Sequence, residues 1–274
     1  MRRRTEIFVR ILLLVSVVYL VGLLVVAIGA PHIAPADPRL QNIPARFAPP
    51  GTAGFLLGSD EFGRDVLSRI LFGARSALLV GGVSVFLALG IGLVVGLTAG
   101  LAGKAVDSAL MLLMDAVLSF PTVLLAITVV SVFGYGLPQV MTAIGVIFSP
   151  LFARIIRTET LALKQEPFVL SARALGTPLR RIITVHLLPN MLPKIVVQCT
   201  VTVALALVVE ASLSFLGVGA QPPTPSWGLM LRNARNYLFD APWLALYPGL
   251  AIGSTVFCCN LLGDLLGELL QRDQ

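Results

Sequence analysis

Six stretches of this chain are too apolar, and too long, to sit inside a soluble domain. The clearest covers residues 11–30, about twenty consecutive residues with no charge. A helix that crosses a bilayer needs about 20 predominantly apolar residues. Comparable runs recur at about 76–101, 106–133, 137–156, 192–216 and 243–262. Over the whole chain only 12% of residues are charged and 57% are hydrophobic, against about 25% charged in soluble domains. The pattern predicts an all-α integral membrane protein of about six spans. It forms one transmembrane domain over 1–274, because no hydrophilic stretch is long enough for a separate soluble domain. Its parts are an N-terminal span (11–30), an external loop with an interfacial helix (31–75), a core bundle (76–265) and a polar loop at about 157–190.

The net charge of +6 fits the lysine and arginine bias of cytoplasmic loops better than nucleic-acid binding. With both termini placed in the cytoplasm, most of the twenty basic residues fall on that side, together with the 157–190 loop. The basic start Arg2-Arg3-Arg4 followed by an apolar run also has the form of a signal peptide. Such h-regions run only 7–15 residues, however, so an uncleaved first span is expected. Cys199, Cys258 and Cys259 lie in apolar runs and read as packing residues. His32 and His186 have no neighbours at ligand spacing, so no metal is expected. Gly103-Lys104 fails as a phosphate loop, because Thr98 and Ala105 stand where glycine and Ser or Thr are needed.

The polar loop is the part most open to chemistry. Glu166-Pro167 opens a helix, with proline at the first helical position, and Phe168 to Leu175 continue it. Gly176 sits where a left-handed residue stops a helix. Thr177-Pro178 opens a second helix, with Thr177 as its N-cap, expected to end near Leu188, before Pro189. Phe168, Ala172 and Leu175 share one face of the first helix. Helices of about nine residues are marginal alone, so that face is covered either by the chain's own bundle or by the groove of a cytosolic partner.

Elsewhere, Gly92, Gly96 and Gly100 recur every fourth residue and define a smooth packing face. Residues 57–79 read as an amphipathic interfacial helix, with Val66, Leu67, Ile70 and Leu71 opposite Arg64, Asp65, Ser68 and Arg69. Pro121 is expected to kink the third span, and Pro150 the fourth. Asp115 and Glu210 are intramembrane carboxylates, expensive there unless paired or wetted. Both have structural readings, and both are also open to roles in solute or ion passage. Trp227, Tyr237 and Trp243 suit headgroup-level anchors.

Four strings resemble the peptide/nickel branch of ABC-importer permeases, and its second-type subunit in particular. The first is FVLSARALG with HLLPN, similar to that family's coupling loop. Here Gly176 and Leu188-Pro189 take the family's positions, while its Glu-Ala-Ala falls on Leu170-Ser171-Ala172. The second is LGSDEFGRDVLSRILFGARSALL at 57–79, with Ser59 for threonine. The third is Asp115 with Ser119-Phe120-Pro121, where Leu112 replaces a frequent arginine. The fourth is ASLSFLGVGAQPPTPSWG at 211–228. The resemblance spans roughly 57–262.

It implies a type I importer permease that translocates di- or oligopeptides across the cytoplasmic membrane. The implied partners are a homologous permease in a heterodimer, two cytosolic ATPase subunits that bind ATP and Mg, and an external solute-binding protein. The coupling residues would be Glu166, Pro167, Phe168, Ser171, Ala172, Arg173, Leu175, Gly176, Thr177, Pro178, Leu188 and Pro189. This chain itself would hold no cofactor and catalyse nothing. The alternative is a secondary transporter or channel that uses Asp115 and Glu210.

Overall fold

A computed structural model describes residues 2–272; Met1, Asp273 and Gln274, and with them the chain termini, lie outside the described residues. Long apolar runs become long helices because only internal hydrogen bonding satisfies the backbone in lipid. Five helices are long and apolar enough to cross a membrane, or six if one sharply bent pair counts as a span. They are α1 (Arg2–Ile33), α2 (Val66–Leu101), α5 (Leu137–Leu163), the continuous run Leu179–Leu216 and α10 (Trp243–Arg272). The bent pair is α3 (Lys104–Leu118) with α4 (Thr122–Phe133), at 92°. The third span is therefore broken at Ser119-Phe120-Pro121 rather than kinked within one helix. Proline cannot donate to the preceding turn, and Pro121 at ψ 124° has left the helical region altogether.

The centre of the bundle is α2 against α5, which run parallel. Positions 92, 96 and 100 of the first meet 152, 156 and 160 of the second. A Cβ added at Gly92 would lie 2.4 Å from the Phe152 Cβ, and one at Gly96 2.7 Å from the Ala153 carbonyl oxygen. One added at Gly100 would lie 2.6 Å from the Thr160 side chain. The stripe lets two backbones touch, the means by which helices associate in lipid. Val80, Ile144, Phe152, Ile156, Leu187 and Leu213 fill the core around this contact. The outermost helix, α1, is held by α2 and α10, and the Tyr19 hydroxyl lies 2.6 Å from the Ser254 hydroxyl of α10.

At one end of the bundle, residues 34–65 form a strap of turns rather than an interfacial helix. The helix expected over 57–79 begins only at Val66 and is continuous with the second span. Asp65 is its N-cap, accepting from the Ser68 amide at 2.8 Å. The charges expected to face water are turned inward. Arg69 is 2% exposed. Its Nε lies 3.4 Å from Asp60, which also pairs with Arg64 at 2.7 Å. Arg64 donates to Glu61 at 3.0 Å, and Asn233 of α9 (Trp227–Ala234) donates to the same Glu61 oxygen at 2.8 Å. Buried charges persist only when paired and hydrogen-bonded, and here two acids and two bases neutralise one another. Burial, and then the neighbouring Asp60 carboxylate, push the Glu61 carboxyl above its ordinary range.

Of the three aromatic residues expected as anchors, Trp227 turns inward and Tyr237 and Trp243 are half-buried. Trp227 is buried and donates to the Ile70 carbonyl at 3.0 Å. Tyr237 packs on Phe47 at 4.7 Å between centroids, and Trp243 packs with the cluster that includes Val66 and Trp227. Trp227 is therefore a packing residue that joins α9 to α2, while Tyr237 reaches the strap through Phe47.

Candidate coupling surface

The opposite end of the bundle carries the short helix α6 (Pro167–Ala174). Pro167 occupies its first position, and Glu166 precedes it in extended geometry without a side-chain cap. The helix stops as expected from Gly176, which adopts φ +74°. The Thr177 amide reaches back to the Ala172 carbonyl at 3.0 Å and the Gly176 amide to the Arg173 carbonyl at 2.9 Å, the paired bonds of a Schellman ending. A Cβ at Gly176 meets nothing within 4 Å. The only penalty for a side chain there is backbone strain, about 1–2 kcal/mol in the left-handed region. Gly176→Val is expected to leave membrane insertion intact while fraying the end of α6. Limited proteolysis beside membrane-fraction blots checks this, and a cleavage pattern equal to wild type would show that glycine is not required at that helix end.

The second helix differs from expectation at both ends. Pro178, not Thr177, occupies the N-cap position, and no side chain caps it. The helix also does not stop before Pro189. After α7 (Leu179–Arg181) comes a π-helical stretch, Ile182–Leu187, and then α8 (Leu188–Leu216) without interruption. The Leu188 amide bonds the carbonyl five residues back, at Ile183. The wider turn absorbs the donor that Pro189 lacks.

The two expected coverings of α6 both have a counterpart in its surface, but on different residues. Val169 is 0% exposed and Ala172 is buried; they seat the helix on the main core near Ile182 and Leu187. Phe168 (42%) and Leu175 (86%) stand out from the protein. Ser171 and Leu170 are exposed between them, and Arg173, Arg180 and Arg181 are exposed around them. Phe168 leans on His186 with ring centroids 6.1 Å apart. Leu188 is half-buried and Pro189 exposed, at the foot of α8. The result is a rigid, shallow apolar ridge with a basic rim at one end of a membrane bundle.

Polar contacts fasten this end to the spans. Lys164 donates to the Gly100 carbonyl at 2.9 Å, joining the end of α5 to the end of α2. Lys194 of α8 pairs with Glu159 of α5 at 2.7 Å. Arg157 of α5 holds Asp107 of α3 with two bonds, Nη2 to Oδ2 at 2.6 Å. Arg154 pairs with Asp115 at 2.6 Å. The sequence signal for these pairs was a set of lone charges in otherwise apolar helices; only the packing of α5 shows who meets whom.

Glu210 lies near the far end of α8, buried, accepting from the Ser214 hydroxyl at 2.7 Å and the Ser226 hydroxyl at 2.9 Å. Ser226 is itself the N-cap of α9, so Glu210 stitches α8 to α9. It is far from Asp115, and no contact joins the two. Among the described residues, no group of three His, Cys, Asp or Glu side chains is placed to hold a metal ion. The three cysteines are free.

The chain belongs to the family of binding-protein-dependent transport system inner membrane components, which matches residues 92–274. Its fold resembles a structure described as inward-facing conformations of the MetNI methionine ABC transporter, with a TM-score of 0.61 at 19% identity. That likeness covers 75% of this chain and 96% of the other. Among relatives, the dipeptide transport system permease protein DppC of Alkalihalophilus pseudofirmus is 38% identical, over 94% of this chain and 85% of its own length. The di/tripeptide transport system permease protein DppC of Pseudomonas aeruginosa is 40% identical over 89% and 82%. The glutathione transport system permease protein GsiD of Pectobacterium atrosepticum is 40% identical over 90% and 82%. The protein is thus a multi-pass permease subunit with the type I ABC importer fold, and the carrier or channel alternative finds no support in these likenesses.

Proposed function

We propose that this permease forms half of the membrane conduit of an ATP-driven importer for short peptides. The observation that supports the substrate class is the 38–40% identity to peptide permeases over about nine-tenths of the chain. In this reading a homologous permease completes a heterodimer, two ATPase subunits bind ATP and Mg in the cytoplasm, and an external binding protein delivers the solute. The α6 end and both termini face the cytoplasm, in the inner membrane, and the strap of residues 34–65 faces outward. The excess of lysine and arginine at the α6 end supports that orientation.

Phe168, Ser171 and Leu175 then form the ridge that enters the ATPase subunit, with Arg173 in the last turn of α6. The chain hydrolyses nothing itself; it receives movement. Closure of the ATPase pair displaces α6, which is fixed to the core through Val169 and Ala172. The bundle shifts between inward-open and outward-open states to the extent that docking favours one of them. The test is uptake of a radiolabelled dipeptide by proteoliposomes holding the full complex. ATP-dependent accumulation above the external concentration is expected. Accumulation of another small solute but no peptide would overturn the substrate class and leave the importer standing.

A further inference from the structure

Two guanidinium–carboxylate pairs join α3 to α5, and they are built differently. Arg157 and Asp107 meet through two bonds and are largely covered, at 31% and 15% side-chain exposure. Arg154 and Asp115 meet through one bond, Nη2 to Oδ1, and stay about half exposed, at 52% and 53%. Asp115 Oδ2 and Arg154 Nε and Nη1 make no other hydrogen bond among the described residues. The two pairs line a cleft of about 550 Å³ with Ser108, Met111, Leu112 and Thr158.

The place of the open pair also matters. Arg154 lies two residues inside the end of the apolar run 137–156, about 3 Å of helix at 1.5 Å per residue, so the pair stands at the edge of the spans on the α6 side. Charges held against apolar helices there face protein or water rather than lipid. A cleft of this volume is in the range of small-molecule sites.

We propose that Asp115 and Arg154 form a solute station in the conduit, taking the two charged ends of a zwitterionic peptide. The proposal rests on the peptide reading above. The free carboxylate oxygen of Asp115 accepts from the peptide's ammonium group. The free N–H groups of Arg154 donate to its terminal carboxylate, the planar fork that suits this partner. A zwitterion exchanges one ion pair for two, so no bare charge is left in a low-dielectric wall. A solute with one charge leaves either Asp115 or Arg154 unpaired. Because the resident pair is exposed, and such pairs are weak, it opens for the solute and recloses behind it.

The test uses the whole complex in nanodiscs, without nucleotide or binding protein, and carrying Ser108→Cys. Modification of Cys at 108 by a water-soluble thiol reagent is followed by the mass of the peptide that contains it, apart from the free Cys199, Cys258 and Cys259. Trialanine with free ends is expected to slow modification, and N-acetyl-trialanine amide is not. With Asp115→Asn or Arg154→Gln added, the trialanine concentration for half-protection rises on the order of tenfold, the effect of one lost charge-assisted hydrogen bond. No modification at 108 would show the cleft to be dry. Equal protection by both peptides, or unchanged half-protection in the variants, would leave the pair a brace between α3 and α5. Each of these results overturns the station. Proteoliposome uptake by the unmutated complex separates the two readings: if neither a dipeptide nor trialanine accumulates, the peptide assignment falls and the station with it.

Discussion

Phe168→Asp combined with Leu175→Asp is expected to release the ATPase subunits from the complex and to reduce ATP-driven uptake by more than about a hundredfold. Both side chains stand clear of the protein, so the isolated chain loses little by the change. The docked state loses two apolar contacts and must bury two carboxylates, each costing several kcal/mol unless neutralised. About 2.7 kcal/mol already gives a hundredfold change in affinity. Copurification in mild detergent, with ATPase assay of the eluate, reads the result directly. The contrasting variant is Val169→Asp. It lies one residue away but is fully buried on the bundle side, so its expected outcome is a poor yield of folded chain rather than a folded chain without ATPases. If the double variant keeps its ATPases and its uptake, α6 does not dock through this ridge.

The second large effect concerns the α2–α5 contact. Gly92→Val is expected to prevent assembly of a stable bundle. Even the first carbon of a side chain at position 92 would sit 2.4 Å from the Phe152 Cβ, 2.9 Å from the Ala153 nitrogen and 3.0 Å from the Ser149 oxygen. Two of those neighbours are backbone atoms and cannot rotate away, so the helices must separate along a long parallel contact. Overpacking typically costs about 1–3 kcal/mol, occasionally more, and in lipid no hydrophobic force draws the helices back together. The measurement is the fraction of monodisperse protein after solubilisation. Gly82→Ala in the same helix meets nothing within 4 Å and is expected to be neutral or slightly stabilising, as Ala is favoured over Gly in helices by about 0.5–1 kcal/mol. Equal behaviour of the two variants would show that the close approach at 92 is dispensable.

The places where sequence and structure agree share a cause, and so do the places where they part. Apolar length locates the spans, because lipid leaves the backbone no alternative to helix. Gly176 marks the end of α6, because only one kind of backbone geometry closes a helix that way. The four-residue glycine spacing marks the α2–α5 seam, though not its partner, which depends on which helix α5 lies beside.

The errors come from rules that assume water on one side. Ser68 and Arg69 read as the wet face of an interfacial helix, yet they are buried, because Asp60, Glu61 and Arg64 arrive from a strap whose fold no periodicity records. Trp227 reads as a headgroup anchor, yet its indole finds the Ile70 carbonyl inside. Pro121 and Pro189 carry the same local penalty and end differently. One breaks its span by 92°, while the other is absorbed by a π-helical turn, and only the surrounding packing decides which. At the coupling surface, the shared face of Phe168, Ala172 and Leu175 was legible. That it divides, Ala172 inward with Val169 and the other two outward, was not.

The uninterrupted run from Leu179 to Leu216 has a geometric consequence. Its 38 residues make a rod of roughly 57 Å at 1.5 Å per residue. One end stands beside α6, and the other is pinned where Glu210 grips Ser214 and Ser226. For a rod pinned there, with its free end roughly 47 Å away, a tilt of about five degrees swings that end by about 4 Å. The six-residue π-helical stretch at its foot is the one place where the rod's hydrogen-bond register is already relaxed, so small strokes at the membrane surface can be taken up by a change of register there. The angular amplitude delivered to the far end is therefore set by where along the rod its hydrogen-bond register gives way.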